Sequence, residues 1–574
     1  MHLLSQPRWG KNTGHSIKHA VFFTLRLSSA TITQKIMTVK HFISITILLF
    51  FCLFCTKSKD PHFYDERGTP AYGDTIITAS IGEPSNLIPI LATDSPSHEV
   101  ASFIYNGLVK YDKNLRIVGN LAESWEVSKD NLTITFKLRR DVKWHDGVPF
   151  TAHDVMFTYK LITDPKTPTA YAGDFLLVKE ARVIDDYTFR ITYSKPFAPG
   201  LISWSTAILP KHLLEGKDIT NSPLSRKPVG TGPYKFYEWI PGERVVLTAN
   251  GEYFEGRPYI NRYIMRVIPD SATMFLELKR YGIDMMGLTP IQAVRQTDYP
   301  AFKREFNKFR YLSFGYVYLG YNLKHPFFKD KRVRQAISYA INKKEIIDGI
   351  LLGQGVEADG PYKPDMWAYN GNVKKYPYDR QKAKALLSEA GFKMGQDNIL
   401  YKGGIPFEFT ILVNQGNDVR IKCAELIQKR LSEIGIKVKI RVIEWASFIN
   451  EFIDKRDFEA VILGWSIPHD PDIFDIWHSS KQGKKELNFI SFENKEVDEL
   501  LVKARHTLDI EERKRCYFRI QEILAEEQPY TFLFVPYANV AIHKRFKGIE
   551  PAPAGIMYDF IKWYVPEKQM RYIQ

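Results

Sequence analysis

Phe407-Glu408-Phe409-Thr410-Ile411-Leu412-Val413 opens the stretch that decides the fold. Phe407, Phe409, Ile411 and Val413 alternate with their neighbours as a strand requires. Ile421, Ala424, Ile427, Leu431 and Ile434 then trace one face of a helix, Gly435 ends it, and Val438, Ile440 and Val442 alternate again. This is a βαβ unit. A further helix-like run, Ser447 to Ile453, leads to an apolar strand, Phe458 to Leu463, so the order β-α-β-α-β predicts parallel strands joined by right-handed crossovers. Open parallel sheets bind ligands beyond the carboxyl ends of their strands. The segments expected there are Asn414-Gln415-Gly416-Asn417, Glu444-Trp445 and Gly464-Trp465-Ser466, which offer amides, a hydroxyl and indole rings. The same tryptophans would serve equally as core and the same polar groups as loop solvation.

Outward from this unit, Val333, Ala336, Ile337, Ala340 and Ile341 predict one helix over 330–353, with Asp330 as cap and Gly353 as stop. On the N-terminal side come a strand from Thr75 to Ser80, a turn at Gly82-Glu83-Pro84-Ser85-Asn86, and a helix ending near Tyr105-Asn106-Gly107. A β-rich section follows: Leu132, Ile134, Phe136 and Leu138 alternate, and Val183 to Tyr193 repeats the pattern around Asp185-Asp186. Between them Thr151-Ala152-His153-Asp154 reads as a helix start capped by Thr151.

With 574 residues, 44% of them hydrophobic and 14% aromatic, the chain can fill two or three cores. Its formal charge of +14 is partly concentrated before residue 56, a stretch with no acid; elsewhere basic pairs such as Lys343-Lys344 and Lys484-Lys485 sit beside acids. That pattern describes solvated faces, and no nucleic-acid partner is expected.

After Met37 and Lys40 the apolar run from Phe42 to Phe54 ends at Cys55 and a polar segment. It is too short for an ordinary membrane span and suits a secretory signal. The expected divisions are an extension over 1–36, a signal over 37–55 and a tether over 56–73. Cleavage before a cysteine resembles a bacterial lipoprotein signal, with Cys55 as the lipidated residue. Cys52-Leu53-Phe54 lacks the usual small residues, so use of Cys52, ordinary cleavage and an uncleaved anchor stay open. The body is expected outside the cytoplasm. Only Cys423 and Cys516 remain in it, which make neither a disulfide framework nor a zinc site.

Chemistry finds little support in these motifs. Gly464-Trp465-Ser466-Ile467-Pro468 starts like a hydrolase nucleophile elbow, but Pro468 replaces the closing glycine. Gly230-Thr231-Gly232 is followed by the strand-like Pro233-Tyr234-Lys235-Phe236, not by a helix that could cradle phosphate. His469, Asp470, Asp472, Asp475 and His478 crowd potential metal ligands, yet their spacing matches no standard site and helix-capping would look the same. No enzyme activity, cofactor or metal is expected.

Several segments together resemble the extracytoplasmic solute-binding proteins of family 5, the oligopeptide-, dipeptide- and nickel-binding components of ABC importers. They include Glu83-Pro84-Ser85-Asn86-Leu87-Ile88-Pro89, Leu121-Ala122-Glu123-Ser124-Trp125, Trp144-His145-Asp146-Gly147, Pro228-Val229-Gly230-Thr231-Gly232-Pro233-Tyr234, Asp330-Lys331-Arg332-Val333-Arg334-Gln335-Ala336 and Gly464-Trp465. The resemblance implies an α/β, two-lobed, type II periplasmic-binding-protein fold with a hinge and an extra α/β domain inserted in the first lobe. Mapped here, lobe one combines 74–108, 206–318 and 536–574, the insertion spans 109–205, and lobe two spans 319–535. The ligand-binding residues expected are Ser85, Asn86, Tyr105, Asn106, Asn414, Gln415, Trp445, Gly464, Trp465, Ser466, His469 and Asp470. The implied role is capture of a peptide-like solute by a lipid-anchored monomer of the cell envelope, which delivers it to a permease and its ATPases. In peptide binders of the family an aspartate shortly after Gly-Trp takes the ligand's amino terminus; here Pro468 stands there and Asp470 follows two residues later. A nickel complex or a sugar on the same scaffold, or a surface adhesion lipoprotein, are the alternatives.

Overall fold

The computed structural model describes residues 68–572; the expected extension, the signal, Cys52, Cys55 and most of the tether lie outside them. The central sheet runs in the order Met285–Gly287, Tyr530–His543, Gly315–Tyr321, Ala460–Ser466, Glu408–Asn414, Lys437–Ile443. Glu408–Asn414 pairs in parallel with both Lys437–Ile443 and Ala460–Ser466, as the β-α-β-α-β pattern requires. The remaining neighbours are antiparallel. Both faces are covered. The helix Asp418–Ser432 buries Cys423, Ala424, Ile427 and Leu431 against Leu319, Ile411 and Ile462 on one face. On the other, the helix Ile510–Glu527 buries Cys516, Tyr517, Ile520 and Leu524 against Tyr318, Leu412 and Leu463. Sheets covered on both faces need apolar residues at successive positions, which explains the continuous run Ala460-Val461-Ile462-Leu463.

A smaller sheet in the order Gly73–Ser80, Ile260–Val267, Arg244–Ala249, Tyr234–Ile240 carries the helix Ser95–Ile104. Next to it lies an antiparallel sheet, Ala122–Val127, Thr133–Leu138, Thr188–Tyr193, Val178–Asp185, with the helix Ala152–Thr163. Thr151 caps that helix in a capping box with Asp154. The cores of these two sheets are continuous: Ile104, Phe136, Trp204 and Tyr263 belong to one buried cluster.

The 14-residue strand Tyr530–His543 serves both systems. Its first half pairs with Val317–Gly320 and its second with Phe306–Leu312. Ser313 N–H donates to the Pro536 carbonyl at 3.0 Å where the two crossing segments lie side by side. Two strands passing between lobes at one level form a hinge.

Three local expectations change. The helix expected over 330–353 is broken after Lys331–Ala340, because Ile341 turns extended and buries its side chain; Asn342 then caps a second turn, Lys343–Glu345. Gly464-Trp465-Ser466 does not leave its strand but completes it, paired with Gly315-Tyr316-Val317. The strand at the amino end of the body begins at Gly73, and Tyr72 already stacks on Tyr259 with ring centroids 4.8 Å apart.

Candidate functional site

The lobes meet closely. Gly82 lies against the Trp445 ring, and Ser271 Oγ donates to Asp418 at 2.7 Å. At this junction Tyr111, His469 and Phe314 form an aromatic stack in which His469 meets both rings edge-on, 5.0 Å from Tyr111 and 4.4 Å from Phe314. Burial lowers the His469 pKa, with Lys363 adding to the effect, and its Nδ1 is buried without a hydrogen-bond partner among the described residues. Such an atom is ready for a ligand donor or acceptor.

Two cavities flank this stack. One, about 460 Å³, is lined by His469, Phe314, Tyr311, Lys363, Met366 and Trp367. Lys363 Nζ sits 3.5 Å from the Phe314 ring centroid and 3.1 Å from Asp365. The other, about 670 Å³, runs along the helix Ser95–Ile104 and is walled by His98, Glu99, Tyr105, Asn106, Tyr111 and Tyr171 together with Met557–Ile561 from the chain's end. Apolar and aromatic walls with a few oriented polar groups are the ordinary make-up of a small-molecule site. Tyr171 donates to the Ala92 carbonyl at 2.9 Å and its oxygen lies 3.0 Å from His98 Nε2, so the ring nitrogen is the donor in that pair. Burial raises Tyr111 to about 12 and Tyr105 further, keeping both phenols protonated.

The residues nominated from sequence take different places. Tyr105, Asn106 and His469 line the cavities. The Tyr105 hydroxyl is buried without a partner among the described residues, whereas Asn106 donates to Asn120 and Tyr253 and accepts from Thr231. Ser85 and Asn86 line neither cavity: the Ser85 hydroxyl donates to Asp94, the cap of the helix Ser95–Ile104, and both backbone amides donate to Ser97 Oγ. They brace that helix's first turn. Asn414 accepts from Arg420 at 2.8 Å, Gln415 is exposed, and Gly464 faces Val317 across the sheet. Trp465 donates through Nε1 to the Tyr530 hydroxyl at 3.1 Å, and Ser466 to the Phe314 carbonyl at 3.4 Å.

Asp470 forms two-pronged contacts with Arg513, the nearest at 2.8 Å. Burial raises its pKa and Arg513 opposes the rise. The neighbouring acids are likewise engaged: Asp472 with Arg505 at 2.7 Å and Asp475 with Lys481 at 3.1 Å. The crowding of carboxylates seen in the sequence is thus a set of ion pairs, and no group of three or more metal-ligating side chains is assembled among the described residues.

His98, Glu99, Tyr111, Tyr171, Phe314 and Lys363 carry no local signal, since their neighbourhood is created by chain crossings far apart in sequence. The glycines at 230 and 232 do have a visible cause: a Cβ at Gly230 would strike the backbone of Ile104, and one at Gly232 the backbone of Phe103 and Ile104. They are packing residues beneath the cavity's helix.

The pattern of the bacterial extracellular solute-binding proteins, family 5 middle region, matches residues 116–486. The chain is 35% identical over 534 residues to the oligopeptide-binding protein AppA of Bacillus subtilis, covering 90% of this chain and 97% of that one. The structure of AppA in complex with a nonapeptide superposes with a TM-score of 0.82 at 34% identity, covering 87% of this chain and all of that one. NikZ of Campylobacter jejuni in complex with Ni(L-His) follows with 0.78 at 32% identity, covering 86% and 99%. Half the chain and more matches the family pattern over the same two-lobed fold, and the chain belongs to the family 5 bacterial extracellular solute-binding proteins.

Proposed function

We propose that this protein is the extracytoplasmic, lipid-anchored substrate-binding component of an ABC importer, which closes on a peptide-like solute and presents it to the permease. The observation that carries the reading is the cavity of about 460 Å³ between the lobes, with the larger one beside it walled by lobe one and the insertion, together with the 35% identity to a relative named for oligopeptide binding. A hinge of two strands suits a protein whose ligand shifts an open–closed population instead of reacting, so we read a binding module without chemistry. We take lobe one as 74–108, 206–318 and 536–574, the insertion as 109–205 and lobe two as 319–535. The change of partners along Tyr530–His543 supports the boundary near 536. Tyr105, Asn106 and His469 contact the ligand in this reading.

Native mass spectrometry of the body, purified without refolding, tests it. Adducts of peptide mass support the substrate class. A single non-peptide mass overturns it while keeping the importer role, and the absence of any adduct or thermal shift across a peptide library sinks both. Cys55→Ala is expected to release the protein from the membrane; persistent attachment points to Cys52 or an uncleaved segment.

A further inference from the structure

A ligand ammonium drawn out of water needs an opposite charge that is not already neutralised. Around the lobe junction Asp470 is held by Arg513, Asp472 and Asp174 by Arg505, and Asp475 by Lys481. Within the larger cavity Glu255 is paired with Lys110 at 2.6 Å and Asp559 with Lys562 at 2.8 Å. Glu99 differs from all of them. It lines the cavity and is exposed, the only partner of its carboxylate is the Tyr263 hydroxyl, which donates at 2.7 Å, and no cation lies within ion-pair distance of it among the described residues. Tyr263 in turn accepts from Thr78 at 3.0 Å, so the carboxylate is held in place by a buried relay.

We propose that Glu99 is the anchor for a ligand ammonium group, so that the cavity along the helix Ser95–Ile104 selects peptides or similar solutes carrying one. This rests on the peptide-like reading above and names the group that replaces the aspartate missing at Pro468. Burial raises the Glu99 carboxyl above its usual range, with the Tyr263 hydrogen bond opposing. A bound ammonium supplies the opposite charge that this carboxylate lacks among the described residues. The lining also holds the rings of Tyr105, Tyr111 and Tyr171, which suit the apolar remainder of such a ligand. Ammonium groups come from two sources, a free amino terminus and a lysine side chain.

The test measures binding by calorimetry with three short peptide pools: lysine-free with free amino termini, the same pool N-acetylated, and an N-acetylated pool containing lysine. The expected result is that acetylation weakens binding at least tenfold in the native protein and that Glu99→Gln, with melting unchanged, binds both lysine-free pools equally. Recovery of binding by the lysine pool supports the anchor and shows that it accepts a side-chain ammonium as well as an amino terminus. Glu99→Asp, which keeps the charge but withdraws it, should lower affinity for free-amino peptides, and it substitutes if the Gln variant does not fold. Discrimination that survives in Glu99→Gln, an Asp variant indistinguishable from the native protein, or a native protein indifferent to acetylation overturns the inference and leaves the peptide reading standing. A native protein that binds none of the pools overturns that reading and this inference together.

Discussion

Arg505 stands 2.8 Å from Asp174, so a side chain of the helix Lys495–His506 is tied to the short helical turn Ala172–Phe175 beside the antiparallel sheet. The same guanidinium reaches Asp472 at 2.7 Å and packs 3.8 Å from the Phe474 ring centroid, and His506 Nδ1 lies 2.9 Å from the Pro196 carbonyl nearby. The contacts therefore tie the turn Ala172–Phe175 and Pro196 to the helix Lys495–His506.

In this cluster Asp174, Asp472 and Asp475 face Arg505 and Lys481, which Glu486 also reaches at 3.6 Å, with His478 at the edge, and burial pushes Asp174 up to about 7 despite Arg505. If opening returns Asp174 to water and an ordinary carboxylate pKa, closure takes up a proton and is favoured as pH falls through about 7. His478 is lowered by burial and works in the opposite sense below its ordinary value, so the informative window is pH 6.5 to 8. Ligand affinity is expected to rise from pH 8 to pH 6.5, and Asp174→Asn should flatten that slope. Arg505→Ala, which leaves two part-buried acids without their shared cation, should weaken binding by roughly tenfold or more. Flat native affinity across the window would remove proton uptake from the account.

Asp470 is expected to matter for stability and not for ligand choice. Its partner Arg513 has only 9% of its side chain exposed, so Asp470→Ala leaves a buried guanidinium without its counter-charge. Breaking such a pair costs about 3–5 kcal/mol. Chemical denaturation should show a loss of that order, with the preference between free and acetylated peptides unchanged. A variant of native stability that loses the preference would place Asp470 at the ligand.

Much of the architecture could be read in the chain because it depends on local periodicity. The βαβ order, the Thr151 cap with Asp154 and the buried run Ala460 to Leu463 all repeat a pattern within a few residues. The break at Ile341 could not be seen, since a β-branched apolar residue fits the helical spacing and only tertiary burial turns it extended. A place beside a cavity could be anticipated where a motif itself lies there, as with His469, and not where the cavity is assembled from distant segments. Glu99 and Asp559 share a cavity across more than four hundred residues of chain, and Ser85 looked like a ligand residue because a polar turn that braces a helix has the same composition as one that meets a solute.

Closure should also be sensitive to one glycine. A Cβ on Gly82 would come within 2.6 Å of Trp445 Cδ1, across the interface between the lobes. Its backbone is not in the left-handed region, so alanine can be accommodated when the lobes are apart. Overpacking of this kind costs about 1–3 kcal/mol, which corresponds to a loss of affinity of roughly 5- to 150-fold. The ligand-free melting temperature is read beside the affinity: a large drop there would mean that the clash acts on the lobe itself.

His145 is expected to make the fold acid-sensitive. Gly230 N–H donates to its Nδ1 at 3.2 Å, which leaves Nε2–H to donate to the Gly232 carbonyl at 3.0 Å. The neutral ring thus ties down the loop beneath the helix Ser95–Ile104. A proton on Nδ1 would break the first of these bonds, and burial holds the pKa down to about 4, with Lys235 adding to the effect. The unfolded chain, titrating near 6.5, binds more protons than the folded one between those values. The contribution is therefore complete above about pH 6.5 and fades as pH falls toward 4, amounting to roughly 3 kcal/mol at most. Melting followed from pH 7 to pH 4 should fall less steeply in His145→Gln than in the native protein. Parallel curves would show that the loop's acid response comes from other groups.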